Sequence, residues 1–157
     1  MVMLSACGGN AETSEAERIV TVSVLPQKYF IEQIAGDLVK VNVLIPPGAS
    51  PATYEPSPSQ LKDLSHSQLY FRIGYVVFEL SWMDKIRSVN PEMRIVNLSE
   101  GIDLIREEEH NEDHHGHAHG GIDPHIWMSV SAAKIMAANI HAALCRFIPS
   151  EIDILTK

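Results

Sequence analysis

Imidazole is concentrated in one stretch of this chain. Residues 107–127 read EEEHNEDHHGHAHGGIDPHIW, and five of the eight histidines (His110, His114, His115, His117 and His119) fall within ten residues, among acids and glycines. Neutral imidazole is the commonest biological ligand for zinc and its neighbours. A sixth histidine, His125, follows in a different setting, Asp123-Pro124-His125-Ile126-Trp127. Proline fixes its own φ and holds the preceding residue extended, so this segment is a stiff turn. Trp127 can wedge it against a core, and Asp123 can accept from the ring as an outer-shell partner. The histidine-rich tract (residues 107–121) lacks an apolar anchor and reads as a mobile collector of metal ions. His125 reads as a fixed ligand beside it. His114, His115, His117 and His119 are the loop residues expected to reach that site, since about 3.3 Å per extended residue lets His119 span the six positions to His125.

The remaining single residues promise less. Glu55, in Tyr54-Glu55-Pro56, is a loop acid that either joins a metal or makes a local hydrogen bond. His66 is expected to be exposed, and His141 to sit at the edge of an apolar helix stripe. Glu79 opens a helix, in a solvated or core-capping role rather than a cleft-facing one. Cys145 reads as a small buried hydrophobe. Cys7 differs: Leu4-Ser5-Ala6-Cys7-Gly8 resembles a lipobox, in which the terminal cysteine left after signal cleavage carries lipid. Only six residues precede it, fewer than a signal's apolar core of about 7–15 residues requires. Residues 1–17 therefore read as a lipobox-like start and a flexible tether, with Cys7 the candidate lipidation point. No HExxH, GxSxG, P-loop or GxGxxG is present, so the residues give no enzyme.

The elements that must position these residues alternate. Ile19–Leu25, Val39–Ile45, Gln68–Ile73 and Arg94–Leu98 read as strands; Tyr29–Leu38, Ser59–Leu64, Val77–Val89 and about Ser129–Phe147 read as helices. The last helix carries Val130, Ala133, Met136, Ala137, Ile140, Leu144 and Phe147 as an apolar stripe, with Ser129 or Ser131 at its cap. Strands alternating with helices predict an α/β fold with a central parallel sheet of about four strands flanked by helices. Ligands of such sheets bind beyond the carboxyl ends of the strands. The loops there hold Pro26, Gly48–Pro58, Gly74–Glu79 and the histidine tract, so the unusual residues gather at one edge. A chain of 157 residues, 45% hydrophobic, has enough material for one core. Twelve basic and 20 acidic residues give a formal charge of −8, and no basic patch favours a nucleic-acid partner.

Four features occur in order: the lipobox-like start, PPGASPATYEPSPSQ, RIGYVVFELSWMDK and GGIDPHIWMS. Together they resemble the zinc/manganese substrate-binding proteins of ABC importers, over about Ile19 to the end of the chain. The resemblance implies a monomeric, lipid-anchored periplasmic or cell-surface receptor that delivers a metal ion to an ABC permease. It also implies two α/β lobes with the metal between them, held by three histidines and a carboxylate. His125 matches the second ligand. Ala52, in Ser50-Pro51-Ala52-Thr53-Tyr54-Glu55-Pro56, occupies the first ligand position and cannot coordinate. Residues 18–157 are then the N-terminal lobe, and the C-terminal lobe with its own ligands is absent from this sequence. Imidazole-rich ligation favours zinc over the harder manganese. The alternatives are a free-standing histidine-rich metal buffer and an inactive fragment of a truncated gene.

Overall fold

The computed structural model describes residues 17–106 and 121–156. Four parallel strands form one sheet in the order β2-β1-β3-β4: β1 is Ile19–Val22, β2 Lys40–Val43, β3 Leu69–Arg72 and β4 Arg94–Asn97. The helices between and after them are α1 (Leu25–Ala35), α2 (Pro58–Leu64), α3 (Val77–Val89), α4 (Val130–Phe147) and a short α5 (Ile152–Leu155). The predicted α/β architecture is what forms. Right-handed crossovers that step first one way from β1 and then the other put α1 on one face and α2 and α3 on the opposite one. Accordingly α1 packs with α4 and α5, and α2 packs with α3. The inner strands are covered on both faces: Val20, Thr21 and Val22 of β1 and Leu69, Tyr70 and Phe71 of β3 are all buried. No helix among the described residues is long and apolar enough to cross a membrane.

The boundaries depart from the periodicity where side chains capture backbone. The first strand stops at Val22, and α1 begins at Leu25 rather than Tyr29. Gln27 is the cause. Its Oε1 accepts from the backbone of Ser23 and Val24, both at 3.0 Å, and its Nε2 donates to the carbonyl of Phe71 at 2.8 Å. Pro26 suits the first helical turn, and Gly36 at φ 51° ends the helix, so residues 36–38 form a separate 3₁₀ turn. In α2, Ser57 and Gln60 form a reciprocal cap. Gln60 also donates to the Leu44 carbonyl at 2.6 Å, tying the first turn of α2 to the residue after β2.

Helix α4 turns Ala132, Met136, Ile140, Ala143 and Leu144 inward, whereas Val130 is 75% exposed. Six residues at about 100° each place Val130 about 120° around the helix from Met136, off the stripe to which the sequence assigned it. Neither predicted serine caps this helix through its side chain; Ser129 and Ser131 bond to each other at 3.0 Å.

Gly74, just beyond β3, has φ +103°, and a Cβ there would lie 3.1 Å from Asn97 Oδ1. That oxygen is held by the backbone N–H and hydroxyl of Ser99, so it cannot easily move. Gly74→Ala is expected to cost about 1–3 kcal/mol from backbone strain alone. Urea denaturation checks this; a loss below about 0.5 kcal/mol would show that the turn relaxes freely.

Candidate metal centre

His125 sits where the chain turns from the edge of the sheet into α4. Arg106 and Ile122 form an antiparallel bridge, and Asp123 N–H donates to the Ile105 carbonyl at 3.0 Å. His125 then precedes a 3₁₀ turn, Ile126–Met128, and its own carbonyl accepts from Met128 N–H at 3.0 Å. Ile126 is buried, and half-buried Trp127 packs on the core. The Trp127 ring also meets the imidazole edge-on, with centroids 5.2 Å apart. Two apolar anchors thus hold a polar ring at the surface.

Asp123 fixes how that ring is presented. Its Oδ1 lies 2.9 Å from the backbone nitrogen and 2.6 Å from Nδ1 of His125. A carboxylate only accepts, so Nδ1 carries the proton and Nε2 keeps its lone pair for a metal. The backbone N–H of His125, and then its ring, hold the Asp123 carboxyl below the usual carboxylate range. The Asp123 carboxylate therefore keeps its charge, and its hold on the ring, into acid. The side chains of His125 and Asp123 are 55% and 41% exposed, so the pair is open to an incoming ion. Asp123→Ala is expected to weaken zinc binding at His125 by roughly 10–100-fold without loss of fold. A chelator-competition titration beside a circular dichroism spectrum measures both; unchanged affinity would remove Asp123 from the site.

The other candidates are placed differently. Glu55 is exposed in the loop between β2 and α2, as is Ala52. Among the described residues no three His, Cys, Asp or Glu side chains converge on a point that could hold a metal. Cys7, His110, His114, His115, His117 and His119 lie outside the described residues. His66 is exposed, with Nδ1 2.8 Å from the Lys62 carbonyl. His141 is half-buried. Cys145 is also only half-buried, because it lies beside the buried stripe of α4, and its Sγ is 3.5 Å from His141 Nε2.

Of the two roles read for Glu79, solvated and core-capping, the structure has the second: it is 1% exposed. Its carboxylate accepts from Ser23 Oγ, from Ile73 N–H at 2.9 Å and from Gly74 N–H at 2.5 Å, and Tyr70 Oη lies 2.7 Å from the same serine. The Gly74 carbonyl accepts from Arg72 Nη2 at 3.2 Å, so one glycine touches both the acid and the guanidinium. Burial pushes the Glu79 carboxyl up, against the pull of these donors and of Arg72. Burial likewise pushes the Tyr70 phenol far up, with the Glu79 charge adding to it. The network joins the carboxyl ends of β1 and β3, where the strand order reverses, the customary ligand position in such sheets. Sequence reading missed it because Ser23, Tyr70 and Glu79 are distant in the chain. The only local hint was a glutamate two residues into a helix after a glycine turn.

Over residues 20–157 the chain matches the family described as zinc-uptake complex component A, periplasmic. It belongs to that family. The high-affinity zinc uptake system protein ZnuA of Bacillus subtilis is 30% identical over 174 residues, covering 99% of this chain and 52% of that protein. The manganese ABC transporter substrate-binding lipoprotein PsaA of Streptococcus anginosus is 28% identical over 169 residues, covering 100% of this chain and 51% of that protein. A crystal structure of ZnuA aligns with a TM-score of 0.78 at 36% identity, covering 89% of this chain and 51% of that one. The chain thus spans about half the length of these relatives. The family resemblance read from the motifs holds, and the relatives named include both zinc and manganese binders.

Proposed function

We propose that this chain is the metal-capturing N-terminal lobe of an extracytoplasmic receptor that delivers zinc to an ABC import permease. The observation that carries the reading is the clamped imidazole of His125. Its Nδ1 is committed to Asp123 at 2.6 Å, and the ring stands exposed on two apolar anchors. Such an arrangement suits capture and release of an ion. Family membership supports the transport role, and the relatives' names supply both the importer and the choice between zinc and manganese. Zinc is favoured here by the imidazole-rich sequence. In this reading His114, His115, His117 and His119 raise the local zinc concentration, and Glu55 is an auxiliary ligand. Cys7 is the lipid-bearing residue that keeps a monomeric receptor at the membrane. Zinc titration against a competing chelator at pH 7.5 tests the proposal. One tight site per chain, with weaker ones behind it, is expected; several equivalent weak sites and no tight one would make the chain a histidine-rich metal buffer instead.

A further inference from the structure

Between α3 and the edge strand β4 runs a groove of about 520 Å³. It shares no lining residue with the surroundings of His125. Arg72 of β3 pairs in register with Asn97 of β4, so these two and Ile95 share the face of the sheet that α3 covers. Arg94, one step along β4, faces the other way and lies 5.7 Å from the ring centroid of Phe147 in α4. The chain as a whole carries −8, yet this groove is lined by two arginines, Arg72 and Arg87, and among its described lining residues there is no Asp or Glu.

The donors of the groove are underused. Arg72 donates from Nη2 to the Gly74 carbonyl at 3.2 Å, whereas its Nε is buried with no partner among the described residues. A buried donor without a partner costs free energy that a bound acceptor recovers. Arg87, in the last turn of α3, is exposed and makes no hydrogen bond or ion pair among the described residues. Asn97 Oδ1 is taken by the N–H and hydroxyl of Ser99, which leaves its Nδ2 as a donor. Asn90 spends its own amide on the carbonyls of Leu64, Ser65 and Ser67 and so fixes the end of α3 that walls the groove. Two cations and a spare amide on one concave surface make a positive potential, and a guanidinium fork matches the paired oxygens of phosphate or carboxylate.

We propose that this groove binds a small molecule through a phosphate or carboxylate group, at a site separate from the metal centre. The oxygens take the guanidinium donors of Arg72 and Arg87 and the Asn97 amide, and Ile95 and Met93 give carbon surface beside them. The inference is independent of the receptor reading, because neither zinc nor His125 enters its test.

Proton–nitrogen correlation NMR of the whole chain, metal-free at pH 6.5 and constant ionic strength, supplies that test. The titrants are inorganic phosphate and, separately, malonate. The Nε–Hε signals of Arg72 and Arg87 and the side-chain amide of Asn97 are expected to shift together and saturate, while Arg94 on the opposite face stays unmoved. Saturation by phosphate alone assigns the site to phosphate-bearing ligands; saturation by malonate alone assigns it to carboxylates. Arg87→Gln removes an exposed charge and is expected to weaken binding roughly tenfold. Asn97→Asp puts a carboxylate into the groove while keeping an oxygen for Ser99, and should abolish saturation. No shift with either anion, equal shifts with chloride, shifts that include Arg94, or saturation indifferent to both variants overturns the proposal.

Discussion

His125→Ala is expected to weaken the tightest zinc site by at least the roughly 10–100-fold that loss of an outer-shell partner costs, because it removes the coordinating nitrogen itself. Deleting residues 108–119 is expected to do the reverse: fewer zinc ions bind, and the tightest one stays. The contrast follows from preorganisation. The imidazole of His125 is already held by Asp123, Ile126 and Trp127 before metal arrives, so binding orders little. Histidines in an acidic, glycine-rich tract have no such support in the sequence, so each coordination event costs conformational entropy and no single residue is essential. Zinc titrations of the two variants at pH 7.5 separate these contributions. If the deletion abolishes tight binding while His125→Ala changes nothing, the anchor is in the wrong place and the buffer reading prevails.

The part of this site legible in the sequence was the part made by neighbours in the chain. Asp123, Pro124, His125 and Trp127 act within five residues, so their types and spacing predicted a clamped ring, and the clamp forms. The strands were legible for a similar reason. Val20, Val22, Leu69 and Phe71 are apolar because the inner strands are buried on both faces, and such runs stand out between Pro/Gly-rich turns. What sequence did not disclose was long-range polar closure. Nothing near Gln27 announces that its amide will bridge β1 to the Phe71 carbonyl, and that bridge moves the start of α1 forward. Likewise the separation of 56 positions between Ser23 and Glu79 hides their contact until β1 and β3 pair.

Removing the carboxylate of Glu79 is expected to be among the most destabilising single changes in this lobe. Glu79→Ala strands the buried N–H groups of Ile73 and Gly74, which the carboxylate now satisfies, and leaves the Ser23 hydroxyl only Tyr70 as a partner. A buried donor left unsatisfied costs about 1–3 kcal/mol, so the sum is roughly 3–5 kcal/mol after partial relaxation. That is a large fraction of the roughly 5–15 kcal/mol by which a domain is stable. Glu79→Gln keeps the shape but turns an amide NH₂ toward one of those donors, for a loss of about 1–3 kcal/mol. The pH dependence has a definite sign. Burial, the largest influence, raises the folded-state pKa of Glu79 above its unfolded value despite the donors from Ser23, Gly74 and Ile73 and the charge of Arg72. The fold therefore binds this proton more tightly than the unfolded chain does. The resulting stabilisation is fully present below the unfolded glutamate value, about 4.3, and is lost as pH rises through the folded value. Glutamine does not titrate, so the margin of the native chain over Glu79→Gln should be widest near pH 4 and shrink toward neutrality. Tyr70, the other titratable partner, is held protonated by burial throughout that range and does not reverse the trend. Urea denaturation of the native chain and both variants at pH 4, 6 and 8 measures the margins. A Glu79→Ala loss under about 1 kcal/mol would show that the carboxylate does not join β1 to β3, and a Glu79→Gln margin that widens with pH would show that the donors outweigh burial.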